Sequence, residues 1–277
     1  MEKSMMTSLF DIHGQVIAIT GAAGVLGGEI ACVLVESGAR VAIMDMRTDL
    51  PTGLHQRLDK FPDQYLVIQC DVLKRESVTA ALQQILKNFK KVDSLINAAG
   101  GNSPKATTSA DLSFFDISPE AFNWVMQLNL SGTVLPCQIF GKYFAAQDAG
   151  NILNISSMNA FRPLTRIPAY SAAKAAVSNF TQWLAVHMAQ EYSKNIRVNA
   201  LAPGFFLTQQ NRFLMINENN NELTARGKTI LAHTPLGRFG DPADLLGAVI
   251  WLLSPASGFV TGSVIAIDGG FAAFSGV

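Results

Sequence analysis

The sequence predicts an α/β domain: a doubly wound parallel sheet of about seven strands with helices on both faces. Three observations carry this. Short apolar runs rich in β-branched residues recur along the chain, and such runs suit strands buried on both faces of a parallel sheet. Segments with helical spacing of apolar residues separate them. No internal repeat or domain-scale linker interrupts the alternation, so residues 1–277 read as one domain.

Composition removes several classes of function. The formal net charge is zero, and charged residues make up only 15% against 49% hydrophobic, which leaves no basic stripe for nucleic acid. The three cysteines, Cys32, Cys70 and Cys137, show no short paired spacing, so neither a disulfide framework nor a zinc ribbon is expected. The histidines at 13, 55, 187 and 233 form no metal-binding motif, and no metal is expected. Residues 1–13 lack the apolar core of a signal peptide. The longest apolar run, 245–253, is far short of the roughly 20 residues of a membrane helix. The expectation is a cytoplasmic protein with a small-molecule substrate, no nucleic acid and no membrane.

Taken in order, the first strand is 16–20, ending at Thr20-Gly21-Ala22-Ala23-Gly24-Val25-Leu26-Gly27-Gly28. A helical pattern then runs through Ala31, Leu34 and Val35 to a stop at Gly38. Strand, glycine-rich turn and helix together offer free N–H groups to a pyrophosphate. The glycine spacing is GxxGxxG rather than GxGxxG. The second strand, 40–44, ends at Asp45, 18 residues past Gly27. An acid there accepts hydrogen bonds from ribose hydroxyls and repels a 2′-phosphate, which favours NAD; Arg47, two residues on, leaves NADP open.

A third strand, 65–70, closes on Asp71-Val72, and an amphipathic helix follows over 76–89. The fourth strand, 92–96, runs into Asn97-Ala98-Ala99-Gly100-Gly101, small residues that let backbone pass close to a ligand. Residues 102–116 read as irregular. A long helix is expected over 119–147, carrying Asn129 among apolar neighbours, where a buried amide must find partners. The fifth strand, 151–155, ends at Ser156-Ser157. The sixth, 196–201, leads to Pro203-Gly204, and 205–234 reads as an irregular lid with a polar cluster at 217–222. A helix over 241–253 has Asp241 as its N-cap and Pro242 at its first position, and 262–268 is the last strand. Gly21, Asp45, Asp71, Asn97, Ser157 and Pro203 thus all fall at strand C-termini, where ligands bind in open parallel sheets.

The helix over 169–188 opens with Tyr170-Ser171-Ala172-Ala173-Lys174. Residues four apart share a helix face, so the Tyr170 phenol and the Lys174 ammonium point the same way. A neighbouring cation lowers the pKa of a phenol, and a tyrosine so tuned can exchange a proton with an alcohol or carbonyl. Ser157 lies thirteen residues upstream at a strand end.

Jointly, Thr20-Gly21 to Gly27, Asp71-Val72, Asn97 to Gly100, Asn129, Ser157, Tyr170 with Lys174, Arg197-Val198-Asn199, Pro203-Gly204 and Asp268-Gly269-Gly270 closely resemble the short-chain dehydrogenase/reductase family. The resemblance spans about residues 10–271. It implies a Rossmann-like fold, a nicotinamide cofactor (NAD, with NADP open) and a homotetramer. By similarity, Tyr170 is the general acid/base, Lys174 lowers its pKa and holds the nicotinamide ribose, Ser157 binds the substrate oxygen, and Asn129 supports a water-linked proton relay. The cofactor would lie on Gly21, Gly24, Val25, Leu26, Gly27, Asp45, Asp71, Val72, Asn97, Ala98, Ala99, Gly100, Tyr170, Lys174, Pro203 and Gly204, with Thr208 on the nicotinamide amide. Val25 departs from the family pattern, which has Gly or Ala there, and the expected consequence is a tighter pyrophosphate turn.

Two polar stretches follow Ser157 and Pro203-Gly204: Asn159 with Arg162, and Gln209, Asn211 and Arg212. Both are similar to the branch acting on sugar acids, D-mannonate oxidoreductases in particular, which interconvert D-fructuronate and D-mannonate. A helix starting near 208 would put Arg212 on one face with Thr208, its planar guanidinium suited to a carboxylate. Three readings stay open: a sugar-acid oxidoreductase, an oxidoreductase for another carbonyl such as a 3-oxoacyl thioester or a neutral polyol, and a non-catalytic nucleotide-binding protein. The intact Asn129, Ser157, Tyr170 and Lys174 speak against the last.

Overall fold

The computed structural model describes residues 5–207, 212–217 and 220–276. Among them are seven strands: β1 (Val16–Thr20), β2 (Arg40–Asp45), β3 (Tyr65–Gln69), β4 (Ser94–Asn97), β5 (Gly150–Ile155), β6 (Ile196–Pro203) and β7 (Val264–Ile267). They form one sheet in the order β3-β2-β1-β4-β5-β6-β7, every neighbouring pair parallel. The helices are α1 (Met5–Leu9), α2 (Val25–Glu36), α3 (Thr52–Leu58), α4 (Arg75–Phe89), α5 (Pro119–Met126), α6 (Gly132–Ala146), α7 (Pro168–Glu191), α8 (Arg212–Met215), α9 (Ala225–Ala232) and α10 (Ala243–Leu253).

The strand residues explain the layering. Successive side chains of a strand point to opposite faces. Val16 and Ala18 of β1 join one core, with residues of α4, α6 and α7; Ile17 and Ile19 join the other, with residues of α2 and α10. All five residues of β1 are buried, which is why this strand reads as a continuous apolar run instead of an alternating one. Fully burying one such aliphatic side chain contributes roughly 1.5–3 kcal/mol. Strand order reverses beside β1, between β2 and β4, so a crevice opens at the C-terminal ends of these strands.

Three expectations are corrected. The helix over 119–147 is not uniform. Residues Gln127–Ser131 form a π-helical turn between α5 and α6, and Thr133 Oγ1 donates to Asn129 O at 2.8 Å. The segment 205–234 is not irregular throughout. It holds α8 and α9, the latter capped where Thr224 Oγ1 accepts the Gly227 N–H at 3.0 Å. Helix α10 begins one residue late: Pro242 is the N-cap, and Asp241 Oδ1 accepts the Ala243 N–H at 2.9 Å.

Candidate active site

The crevice begins at the turn after β1. Gly21 has φ +69°, and a Cβ on it would stand 2.6 Å from Ala99 Cα, so only glycine fits between the turn and the chain leaving β4. A Cβ on Gly27 would stand 2.6 Å from Gly21 O, so the turn also packs on its own helix. Gly24 caps α2 in extended backbone with no side-chain bond to the first N–H groups. Those groups stay available to an anion. Val25 takes the first helical position, and its side chain lines the groove beside Leu26.

From this turn a groove of about 410 Å³ runs past Asp45, Met46 and Arg47, past Cys70 and Val72, and under Ala98–Gly101 to Tyr170 and Lys174. Asp45 is fixed by two backbone donors, Ala23 N–H at 3.0 Å and Arg47 N–H at 3.1 Å, leaving further carboxylate lone pairs for a ribose. A groove with a glycine cradle and free helix N–H groups at its middle and a ribose acceptor at one end fits a dinucleotide.

Several expected cofactor residues do not face it. Asp71 turns its carboxylate to Leu73 N–H at 3.0 Å and to Lys74 Nζ at 3.3 Å, so it organises the start of α4. Asn97 is buried; its Nδ2 donates to Asn154 Oδ1 at 2.9 Å and to Cys137 Sγ at 3.2 Å, tying β4 to β5 and α6. Its backbone neighbours, not its side chain, line the groove. Pro203 ends β6 outside the groove lining, and Gly204 packs on Asp268, whose Cβ would be 2.6 Å from a Cβ there. Thr208, Gln209 and Asn211 lie outside the described residues. In turn, Met46, Cys70 and Ile155 line the groove without having been singled out. Each sits at a strand end, which is the signal that points to them; Leu128 and Leu245 carry no such signal.

At the far end of the groove the polar groups converge. Tyr170 is the third residue of α7, and Lys174 Nζ lies 5.6 Å from its ring centroid. Lys174 is 4% exposed and donates to Ile155 O at 2.7 Å. Asn129, placed by the π-turn, donates through Nδ2 to Gly101 O at 2.7 Å and Val125 O at 2.8 Å, and accepts the Gly101 N–H at 3.2 Å. A Cβ on Gly100 would meet Asn129 Oδ1 at 2.7 Å and Lys174 Nζ at 3.3 Å, so the glycine keeps open the space these two flank.

Ser157 Oγ accepts from Asn159 twice, from its N–H at 3.3 Å and from Nδ2 at 3.1 Å. The orientation of that amide is fixed by Leu164 N–H, which donates to Asn159 Oδ1 at 3.1 Å. With both acceptor positions of Ser157 used, its own hydroxyl proton is left to donate. Asn159, expected to touch substrate, instead braces Ser157.

The electrostatics differ from the simple Tyr–Lys expectation. Burial pushes the Tyr170 phenol above its ordinary value, against a hydrogen bond from Ser157 that pulls it down. Burial also lowers Lys174 from 10.5 to about 8. Desolvation disfavours the charged forms of both groups and is the largest influence on each. The two arginines expected at the substrate are exposed. Arg212 Nη2 donates to Asn221 Oδ1 at 3.0 Å within the lid, and Arg162 Nε donates to Ala272 O at 3.0 Å.

A crevice at the switch point of a doubly wound sheet, ending on a Tyr, a Lys and a donating Ser, defines a dinucleotide-fold oxidoreductase. Comparisons narrow this. The family model described as enoyl-(acyl carrier protein) reductase matches residues 21–272. A Bacillus subtilis (strain 168) protein described as the uncharacterized oxidoreductase UxuB is 43% identical over 276 residues, covering 96% of this chain and 98% of that one. A crystal structure from Haemophilus influenza, provisionally described as a D-mannonate oxidoreductase with bound NAD, is 41% identical. It has a TM-score of 0.89, covering 98% of this chain and 100% of that one. The 2-dehydro-3-deoxy-D-gluconate 5-dehydrogenase of Escherichia coli (strain K12) is 32% identical over 271 residues, covering 97% and 100%. The chain belongs to the short-chain dehydrogenase/reductase family and is an oxidoreductase. Among the described residues no helix is long and apolar enough to cross a membrane, and no cluster of His, Cys, Asp or Glu could hold a metal ion.

Proposed function

We propose that the chain binds NAD along the groove and moves a hydride between it and a sugar acid of the D-mannonate/D-fructuronate kind. The convergence of Tyr170, Lys174 and Ser157 at one end of that groove is the observation that carries the reaction type. The substrate class rests on the sugar-acid names of two of the similar proteins. Asp45 supports NAD, since its carboxylate would face the phosphate of NADP; Arg47 at the same end is the group that would favour NADP.

NAD, when bound, supplies the hydride acceptor for oxidation and, reduced, the donor for the reverse. The chain handles the proton. In oxidation Tyr170 Oη takes the proton of the substrate hydroxyl; in reduction it returns a proton to the carbonyl oxygen. Ser157 turns its hydroxyl proton from the Tyr170 phenol to that same oxygen and so fixes it against Tyr170. Lys174, protonated below about pH 8, places a cation beside the phenol as negative charge develops there. Asn129 stands beside Lys174 at Gly100, and the space the two share suits a water that passes the proton outward. We also propose the homotetramer that the family resemblance implies, with the exposed face around Trp183 as a contact surface. Trp183 stacks on His187 at 4.7 Å, and both line an apolar groove of about 520 Å³ between α6 and α7.

The test is a substrate screen of the purified enzyme, following the absorbance of reduced cofactor with NAD and with NADP. Turnover of hexuronates or aldonates with NAD is the expected result. Preference for a polyol or a 3-oxoacyl thioester overturns the substrate, and nucleotide binding without turnover of any of them overturns the mechanism. Light scattering decides the tetramer.

A further inference from the structure

Residues 162–167 join the loop of Ser157 to α7, and across from them stands α9 of the lid. Between the two lies a cavity of about 540 Å³. Arg162 and Arg166 enter it from the joining segment, Arg226 from the first turn of α9, and His233 from the end of that helix. No acidic side chain lines it. Among the described residues Arg162, Arg166 and Arg226 form no ion pair, whereas Arg57 and Arg238 both do. In a chain with 21 basic and 21 acidic residues, three arginines facing one cavity without a carboxylate is a local imbalance.

The cavity is also shaped. Phe205 and Phe271 meet edge to face at 5.1 Å, and Leu164, Ile167 and Ile230 add apolar surface. His233 Nδ1 is bonded to Thr229 O at 2.8 Å, which fixes the ring at the end of α9 beside Phe271. Arg162 spends its Nε on Ala272 O, while Arg166 and Arg226 spend no side-chain donor on the described residues. Position completes the argument. Ile167, in the cavity wall, is the N-cap of α7, whose third residue is Tyr170, and Arg162 follows Ser157 by five residues. One short segment therefore bounds both the reacting oxygen's partners and the cationic cavity.

We propose that this cavity receives the carboxylate end of the substrate, with Arg166 and Arg226 as the residues that pair with its charge. The proposal rests on the sugar-acid reading and gives it a location, one different from Arg212, whose guanidinium is turned to Asn221. A planar guanidinium matches a carboxylate in two parallel bonds, and Arg166 and Arg226 approach the cavity from its two walls. Neutral polyols gain nothing from the pair, so it sets specificity and leaves proton transfer to Tyr170.

The test uses the full-length enzyme with both arginines replaced, Arg166→Gln with Arg226→Gln. Cofactor binding and circular dichroism establish that the variant is folded. The readout is the ratio of kcat/KM for an aldonate to that for its alditol. That ratio should fall at least about 30-fold, carried by KM, the size expected for losing the partners of a desolvated carboxylate. Calorimetric titration of the enzyme with bound NADH, using D-gluconate and sorbitol as probes, should show gluconate binding weakened by the same factor. An unchanged ratio with unchanged gluconate binding overturns the proposal, as does a ratio that falls in Arg212→Ala instead. A wild-type enzyme that binds gluconate no better than sorbitol and oxidises only neutral substrates overturns the sugar-acid reading itself, and the proposal with it.

Discussion

The groove over β1, β2 and β4 and the cavity under α9 open at the same edge of one sheet, yet they are built by opposite means. The groove is largely backbone. Gly21, Gly27 and Gly100 are there because a Cβ would strike a neighbour, and the ligand-facing groups are N–H donors, small residues and one anchored carboxylate. The α9 cavity is side chains: three exposed arginines, a histidine and aromatic rings, carried on connections instead of strands. A site made of backbone is fixed once the sheet forms. A site made of long side chains keeps its adaptability and is where substrate choice can change without touching the fold.

The sharpest way to break this contrast is at Tyr170, at the end of the groove and three residues after Ile167 of the cavity wall. Tyr170→Phe removes only the hydroxyl, and turnover should fall roughly 10²–10⁴-fold while NAD binding persists. Steady-state rates beside a fluorescence titration of NADH check both halves; near-normal turnover would sink the proton role.

Lys174 provides the next largest effect. Its folded pKa of about 8 lies below 10.5, so between those values the unfolded chain binds more protons and stability rises with pH. Below about pH 8 the folded protein bears the whole cost of a desolvated ammonium, on the order of 3 kcal/mol. Denaturant melts of the wild type and Lys174→Met across pH 7 to 11 should therefore converge on Lys174's behaviour: the wild type gains on the variant as pH climbs. A constant gap would mean that water reaches the ammonium.

Gly21→Ala tests whether the groove is set by backbone. With φ +69° and Ala99 Cα 2.6 Å from the new Cβ, the turn must shift. Strain of about 1–3 kcal/mol follows, and NAD affinity should weaken by about tenfold or more. Calorimetric titration with NAD measures it, and an unchanged Kd would show that the turn relaxes freely. The smallest effect belongs to Arg212→Ala. Among the described residues its side chain loses only a solvated hydrogen bond to Asn221, so kcat/KM should change less than about twofold for charged and neutral substrates alike.

These differences follow what the sequence could disclose. The parallel sheet of about seven strands, the turn at Gly21 and the Ser157, Tyr170 and Lys174 group were legible because apolar runs fix strands and strand ends fix the crevice. Asn97 and Asp71 were read into the groove for the same reason. They fall at strand ends, but a strand end presents side chains alternately. Asn97 points into the core beneath α6 and Asp71 to the head of α4. The lid helices were missed although Thr224 and Gly227 stand at capping distance. Their apolar residues are too few to show a period, and the two helices pack on each other, with Gly227 of α9 close against Met215 of α8.

The π-turn at Gln127–Ser131 has a consequence for how this chain tolerates changes in length. It is one residue more than an α-helix would use for the same turn, so the surplus residue bulges while the helix on either side keeps its phase. Each residue of an α-helix advances about 100° around its axis, so a single deletion early in α6 would swing Phe140 and Phe144, both fully buried, off the sheet. Deleting one residue of the π-turn would instead restore a regular helix, with Val125 still against Ala169 and the two phenylalanines still in the core. What would go is the bulge that sets Asn129 against Gly101. Length is set by packing along α6; at this one turn it is set by the site.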